Sequence, residues 1–168
     1  MRYKKKRQPP VGPVGDMERL SRPEVAPQPL YIVGAGSVLR ELVGLVREHS
    51  EYAAAGILDP DRSLRGRHID GLEVLGWLGD LPESGAAAAV IGTPSISRGF
   101  DRSAVYHILA KRDFQLPILR SASSRCEAGV DMRRGTVQLR GSVIRSGAQV
   151  GYNCLVGAKA RLEPGADV

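Results

Sequence analysis

The amino-acid sequence predicts an α/β protein: a small Rossmann-like domain with a parallel sheet, followed by the first coils of a left-handed parallel β-helix. Over residues 30–121, short apolar runs that end at glycine alternate with amphipathic helical segments, a pattern typical of a parallel sheet covered by helices. Over residues 130–168, glycine and small residues recur with a period of six, which indicates a repeat architecture. Residues 1–29 are basic and proline-rich, so we predict a disordered tail there. Residues 122–129 are interpreted as a linker, and the β-helix is expected to be incomplete.

The composition excludes several classes of protein. The chain has 168 residues, of which 42% are hydrophobic and 25% are charged, close to the average of globular proteins. No apolar stretch approaches the roughly 20 residues of a membrane span, and no apolar segment follows the basic N-terminus as in a signal peptide. Two cysteines cannot form a disulfide scaffold, so we expect a cytoplasmic protein. The basic run in the tail has no interleaved aromatic residues, so we expect it to be solvated and predict no nucleic-acid partner.

The first half of the α/β domain contains two predicted strands and one helix. The apolar run Leu30–Val33 meets a Gly-Ala-Gly turn, which predicts a buried strand. Apolar residues at helical spacing over 38–48 predict an amphipathic helix, with Ser37 as its N-cap. Residues 53–58 predict the second strand, which ends at an Asp-Pro-Asp turn sequence.

The second half of the domain repeats this alternation. Residues 72–75 predict a short strand, and the apolar residues 86–91 predict a buried strand that ends at Gly-Thr-Pro. Residues 101–112 place their apolar side chains on one helical face and have basic residues at the end, which suits the helix dipole. Residues 116–119 predict a last short strand. This alternation of strands and helices favours a parallel, doubly wound sheet.

The C-terminal third is a hexapeptide repeat. Its turn positions carry residues that tolerate left-handed backbone angles: Gly129, Gly135, Gly141, Gly147, Asn153, Lys159 and Gly165. A large residue stands three places before each turn from Gly135 onward: Met132, Gln138, Ile144, Val150, Val156 and Leu162. A small residue follows each of the same turns: Thr136, Ser142, Ala148, Cys154, Ala160 and Ala166. Each hexapeptide is therefore expected to form one short strand and one corner, three of which close a triangular coil with the large residue at its axis.

This combination of motifs resembles a known family. LYIVGAG, ILDPD and LRGRHIDGLEVLG followed by a hexapeptide β-helix are similar to the NeuD/PglD-type sugar acetyltransferases of bacterial surface-polysaccharide biosynthesis. The resemblance covers residues 30–168. It implies an α/β domain that binds a nucleotide-sugar substrate, and a β-helix that forms a homotrimer and holds acetyl-CoA between neighbouring subunits. It also implies a histidine on the β-helix as general base.

The chain departs from the family pattern at two places. The family turn Gly-Ala-Gly-Gly-His-Gly-Arg-Glu is matched at its first three and last two positions, but Val38 and Leu39 stand where the family has histidine and glycine. By repeat register the family's catalytic histidine falls on Pro164. Proline cannot accept a proton, so no catalytic residue is predicted. The repeat stops at Val168, the first residue of a hexapeptide, and a truncated copy is expected that is inactive alone.

The candidate substrate-binding residues lie where predicted strands end. They are Gly34, Ala35, Gly36, Ser37, Asp59 and Thr93. Backbone N–H groups at a glycine turn before a helix can bind phosphate, although such a turn is also what any α/β unit needs. An acid at the end of the second strand can accept a hydrogen bond from a ribose or a base, or it can simply form the turn. Thr93 follows the third buried strand, at the carboxyl edge where open α/β sheets bind ligands.

Three hypotheses about function follow from these residues. The first is acetyl-CoA-dependent acetylation of a nucleotide-linked sugar or amino sugar, at oxygen or at nitrogen, as the resemblance implies. The second is a non-catalytic module that binds the sugar nucleotide or assembles with a partner. The third, an NAD-dependent enzyme, is disfavoured because Leu39 replaces the last glycine of the dinucleotide pattern. No metal is predicted, since no His, Cys or Asp cluster has ligand spacing.

Overall fold

The computed structural model describes residues 26–81, 87–93 and 101–168. Residues 1–25 of the predicted tail therefore lie outside the described residues. Residues 28 and 29, which the sequence analysis assigns to the end of the tail, are the first two residues of the first strand. The α/β domain consists of β1 (Gln28–Val33), α1 (Leu39–Arg47), β2 (Tyr52–Leu58), β3 (His68–Ile69), β4 (Leu72–Gly76), β5 (Ala88–Ile91) and α2 (Arg102–Lys111), with 3-10 turns at Arg62–Leu64 and Leu78–Asp80.

The sheet has the order β3-β4-β2-β1-β5. Strands β1, β2, β4 and β5 are parallel, and the two-residue β3 adds antiparallel to β4 at the edge. Leu30 and Ile32 of the central strand β1 pack in the same apolar cluster as α1. Tyr31 and Val33, which alternate with them, pack in the cluster that contains α2. The sheet is thus covered on both faces, as the alternation of elements predicts.

Two local predictions in this domain are wrong. Ser37 does not cap α1, because the N-cap residue is Val38, which has no side-chain oxygen to offer. The strand predicted over 116–119 does not form in the sheet: only Gln115 bridges to Ala88, and Leu119 already belongs to the β-helix. A short apolar run indicates an extended segment but not the partner with which it pairs.

The β-helix is built from eight two-residue strands. They are β6 (Leu119–Arg120), β7 (Arg125–Cys126), β8 (Asp131–Met132), β9 (Val137–Gln138), β10 (Val143–Ile144), β11 (Gln149–Val150), β12 (Leu155–Val156) and β13 (Arg161–Leu162). They form three parallel sheets, β6-β9-β12, β7-β10-β13 and β8-β11. Leu119 pairs with Val137, and Val137 pairs with Leu155, so one coil contains eighteen residues, as the hexapeptide pattern predicts.

Every predicted corner adopts the left-handed backbone conformation. The values of φ lie between 57° and 77° at Gly129, Gly135, Gly141, Gly147, Asn153, Lys159 and Gly165. The large residues of the repeat form the interior of the coil together with the small ones. Gln138, the polar member of that column, is fully buried. Its amide nitrogen donates to the carbonyl of Arg125 at 3.0 Å and its oxygen accepts from Nε of Arg120 at 3.0 Å, so it has partners inside the coil.

The coil begins earlier than the sequence analysis places it. Strand β7 lies within the segment 122–129 that is interpreted as a linker, and it pairs with β10. Cys126 in this strand packs in the coil interior. The first two hexapeptides have Arg120 and Cys126 at the positions where later hexapeptides have large apolar residues. The apolar pattern therefore did not reveal these two hexapeptides.

One face of the β-helix packs against the α/β domain. Leu119 and Val137 are fully buried in the cluster that contains α1, together with Leu139, and Leu155 packs against it. A hydrogen bond stabilises the same contact. The carboxylate of Glu48, the C-cap residue of α1, accepts it from the amide of Ala122 at 2.6 Å. The coil and the sheet domain therefore share an apolar core along this face.

Candidate functional site

The glycine loop (residues 34–37) begins at a position that only glycine can occupy. Gly34 has φ +103°, and its N–H donates to the carbonyl of Leu58 at 2.7 Å. A Cβ atom on Gly34 would lie 1.7 Å from Oγ1 of Thr93. The side chain of Thr93 is buried, so its hydroxyl fills the space that a side chain at position 34 would need. Gly34 and Thr93 are thus brought together, as the meeting of parallel strand ends predicts.

Asp59 fastens the glycine loop to the end of β2. Its Oδ2 accepts from the amide of Ala35 at 2.7 Å, and its Oδ1 accepts from the amide of Asp61 at 2.9 Å. The carboxylate therefore performs the turn-forming role that the sequence analysis left open beside ligand binding. Each carboxylate oxygen has further acceptor capacity, so the two roles are compatible.

The rest of the glycine loop is open. Gly36 and Ser37 are exposed, and in the described part of the chain the amides of residues 36–38 donate no hydrogen bond. Leu39, which replaces the family's last glycine, is buried in the core and does not occupy the loop. The loop therefore presents unused N–H groups at the N-terminus of the nine-residue helix α1, an arrangement that favours anions.

A cleft of about 550 Å³ opens beside Asp59, at the ends of β2 and β4. Arg65 and Asp80 form an ion pair across it at 2.8 Å. The backbone amide of Trp77 holds the pKa of Asp80 below its usual value, and Arg65 adds to this effect. Asp80 is therefore ionised at neutral pH.

Arg102 is the residue of this region that sequence reasoning missed. It is the first residue of α2 and is buried. Its Nη1 donates to the carbonyls of Ile91 at 2.6 Å and Thr93 at 3.1 Å, and its Nε donates to the carbonyl of Asn153 at 2.7 Å. Burial lowers the pKa of Arg102 to about 10, so the guanidinium remains charged at neutral pH. It joins the carboxyl edge of the sheet to a corner of the β-helix.

A second, larger cavity lies at this junction between α2 and the coil corner Tyr152–Asn153. This junction cavity has a volume of about 890 Å³, and its lining includes Arg102, Tyr106, His107, Arg134, Tyr152 and Asn153. Nε of Arg134 donates to the hydroxyl of Tyr106 at 3.1 Å. The rings of Tyr106 and Tyr152 are tilted by 52° with centroids 6.3 Å apart.

Pro164, at the register position of the family's histidine, is exposed at a corner of the coil. Its ring offers no proton acceptor. Within residues 26–81, 87–93 and 101–168, no cluster of His, Cys, Asp and Glu could hold a metal ion. In the same ranges no helix has the length and apolar character needed to cross a membrane.

Comparison with known proteins finds likeness at the level of structure. No family model matches the chain, and no curated protein does. The acetyltransferase domain of PglB from Neisseria gonorrhoeae FA1090, solved with acetyl coenzyme A, superposes with a TM-score of 0.70 at 19% identity, over 84% of this chain and 67% of that one. PerB from Caulobacter crescentus, solved with CoA and GDP-perosamine, gives a TM-score of 0.67 at 20% identity, over 79% of this chain and 61% of that one.

The chain therefore has the fold of sugar acetyltransferases, an α/β domain joined to a β-helix. This confirms, for the fold, the resemblance found in the sequence. The chain spans about two thirds of the length of these neighbours.

Proposed function

We propose that this chain binds a nucleotide-linked amino sugar and takes part in its acetylation by acetyl-CoA, in the biosynthesis of a bacterial surface polysaccharide or glycan. The observation that carries the proposal is the glycine loop, whose open amides lie at the N-terminus of α1. The loop begins at Gly34, beside the buried Thr93, and its Ala35 amide donates to the carboxylate of Asp59. Neighbours in structure that were solved with acetyl coenzyme A and with GDP-perosamine support it.

In the proposed complex the phosphates lie at the amides of residues 36–38. Unused N–H groups and the positive end of the helix dipole favour negative charge there. Gly36 has no atom within 4 Å of where its Cβ would be, so the backbone is accessible to a ligand. Asp59 and Thr93 hold the loop in shape, and the cleft beside Asp59 would receive the nucleoside.

The transfer itself joins the sugar amine to the acetyl carbon. The new C–N bond forms as the C–S bond of the thioester breaks, and a base passes the proton of the amine to the departing sulfur, so that CoA leaves as the thiol. Pro164 cannot be that base, so no residue of this chain is assigned the step. We propose a homotrimer with acetyl-CoA bound between neighbouring coils, as the family resemblance implies, in the cytoplasm.

A second candidate is a module that binds the sugar nucleotide without catalysis. Pro164 at the register position of the catalytic histidine favours it. The two candidates share the binding site and differ in whether acetyl groups are transferred. An assay of the full chain with acetyl-CoA and an amino-sugar nucleotide separates them, since CoA release above the rate without protein supports only the first.

Calorimetric titration of the full chain with UDP, GDP and their sugar derivatives tests the shared site. We expect saturable binding, and we expect Gly36→Ala to weaken it about tenfold because a methyl group then meets the phosphate. Gly44→Ala is the matched control, since Gly44 also has nothing within 4 Å of where its Cβ would be but lies in the middle of α1. Absence of binding by every nucleotide, or an equal effect of both variants, contradicts the proposal.

A further inference from the structure

The cleft beside Asp59 lies further along the carboxyl edge of the sheet than the glycine loop. The loop follows β1, Asp59 follows β2 and Trp77 follows β4, and these three strands are neighbours in the sheet. At about 4.8 Å per strand, the end of β4 lies roughly 10 Å from the end of β1. A nucleotide whose phosphates bind at the loop therefore brings its base into the part of the cleft that Arg65, Trp77 and Asp80 line.

Asp80 and Arg65 form a fixed hydrogen-bonding edge in this cleft. Oδ2 of Asp80 accepts from the amide of Trp77 at 2.9 Å, and Oδ1 accepts from Nη2 of Arg65 at 2.8 Å. Gly76 lets the carboxylate lie against the backbone, because a Cβ atom at that position would overlap Oδ2. The edge is nevertheless accessible to a ligand, since the side chains of Asp80 and Arg65 are 35% and 62% exposed.

The ion pair presents acceptors and donors side by side. Because the amide of Trp77 and the guanidinium of Arg65 hold its pKa below the usual value, Asp80 is ionised and can only accept. Each carboxylate oxygen can accept more than one hydrogen bond, and the guanidinium of Arg65 has further N–H groups beside the one bound to Asp80. A complementary ligand therefore has two adjacent donors for the carboxylate and an acceptor next to them for the guanidinium.

Among the bases of common nucleotides, guanine has this pattern. Its N1–H and its amino group are adjacent donors, and its O6 is the acceptor beside them. Uracil has a single donor between two carbonyl oxygens, one of which would face the carboxylate. Adenine would place the lone pair of a ring nitrogen against Asp80 and its amino group against Arg65.

We propose that the cleft selects guanine nucleotides, with Asp80 accepting from N1–H and the amino group and Arg65 donating to O6. This inference rests on the proposed function and names the class of nucleotide sugar that the site takes, a sugar linked to guanosine diphosphate.

Calorimetric titration of the full chain with nucleoside diphosphates that differ in the base tests the inference. The probes are GDP, UDP, ADP, inosine diphosphate, which lacks the amino group of guanine, and xanthosine diphosphate, which has a carbonyl oxygen in its place. We expect GDP to bind about tenfold more tightly than inosine diphosphate, because a hydrogen bond to a charged group is lost. The other three should bind more weakly still, because each sets an acceptor against the carboxylate.

Asp80→Asn should exchange the preference. Its amide oxygen can still accept from the amide of Trp77 and from N1–H, but its NH2 group opposes the amino group of guanine and can donate to the extra carbonyl of xanthine. We expect the affinity for GDP to fall about tenfold or more and the affinity for xanthosine diphosphate to rise by a similar factor. Loss of a merely structural ion pair would not raise the affinity for any base.

Asp61→Asn is the matched control. Asp61 is also an exposed acid that accepts from a backbone amide in a 3-10 turn, that of Ser63 at 2.9 Å, but it lies outside the lining of the cleft, so its base preference should match that of the unaltered chain. Equal affinities of the unaltered chain for GDP, UDP and ADP, or an unchanged base preference in Asp80→Asn, overturn the inference and leave the proposed function standing. If no nucleoside diphosphate binds the unaltered chain, the proposed function itself fails, which is a different result.

Discussion

The α/β domain and the β-helix bury their apolar side chains in different ways. In the α/β domain, large residues of β1 such as Ile32 and Val33 point alternately to the two faces of the sheet and meet the helices. In the β-helix each hexapeptide contributes one inward residue such as Ile144, and the rest of the interior is small residues such as Ala148. The sheet domain is held by side-chain packing, whereas the coil is held by a repeated backbone ladder and its corners.

This difference decides where each region is sensitive to substitution. A packed domain is damaged by changes of volume or by a side chain forced into filled space. A coil with a thin interior depends more on left-handed corners and on satisfied polar groups inside. The contact between the two regions depends both on packing and on satisfied polar groups. Arg102 takes part in it, because it donates hydrogen bonds to the carbonyl of Thr93 at the edge of the sheet and to the carbonyl of Asn153 at a corner of the coil.

The largest effect is expected at that contact. Arg102→Met should lower the free energy of unfolding by about 3–5 kcal/mol, because the carbonyls of Ile91, Thr93 and Asn153 all lose their donor and each unsatisfied buried group costs about 1–3 kcal/mol. Urea unfolding measures it. Arg40→Met is the control: Arg40 forms a surface ion pair with Asp70 and is 83% exposed, so its cost should stay below about 1 kcal/mol. Equal costs for the two variants would mean that the junction contributes no more than a surface pair.

The next effect lies in the sheet domain. Gly34→Ala should cost about 2–4 kcal/mol, because the added methyl group meets Oγ1 of Thr93 and the backbone stays at φ +103°. Thermal unfolding measures this loss of stability. Gly36→Ala is the control, because no atom lies within 4 Å of where the Cβ of residue 36 would be and its φ is outside the left-handed region. A Gly34→Ala protein as stable as Gly36→Ala would show that Thr93 is free to move away.

A smaller effect is expected inside the coil. Gln138→Leu should cost about 1–3 kcal/mol, although it restores the apolar column, because the carbonyl of Arg125 and Nε of Arg120 lose their partner. Gln149→Leu makes the same change at an exposed strand position and should stay within about 0.5 kcal/mol. A gain of stability in Gln138→Leu would indicate that apolar burial outweighs pairing in the coil as well.

The smallest expected effect is a gain in stability at a corner of the coil. Lys159 has φ +60°, a conformation that is strained for a residue with a Cβ atom. Lys159→Gly should raise stability by up to about 1 kcal/mol. Lys111→Gly, in the last turn of α2, should lower it by about 1 kcal/mol. Differential scanning calorimetry distinguishes the two signs, and a loss in both variants would contradict the role given to the corner.

Features that depend on local sequence, or on the common edge at which parallel strands end, could be predicted from the sequence. The corners of the coil were predicted residue by residue because a positive φ is a local property that the repeat displays many times. The meeting of Gly34, Asp59 and Thr93 followed from the rule that parallel strands end at one edge. Their binding of substrate stays a prediction.

Other features depend on partners that are distant in sequence. The strand at 119–120 pairs with β9 rather than with the sheet, which an apolar run does not reveal. Arg102 contacts Asn153 across 51 positions of sequence, and nothing near either residue signals the pair. The Ser37 cap was wrong because α1 begins one residue later than the apolar pattern suggests.

The eighteen-residue coil has a consequence for how the chain can change length. Leu119, Val137 and Leu155 stand at equivalent positions of successive coils, and all three meet the α/β domain. Gain or loss of a complete coil therefore keeps every later residue on its own side of the prism. An indel of six residues preserves the strand-and-corner rhythm but turns the following sequence by one third of a revolution, which would carry its docking residues away from α1. Viable length variants should accordingly differ by multiples of eighteen.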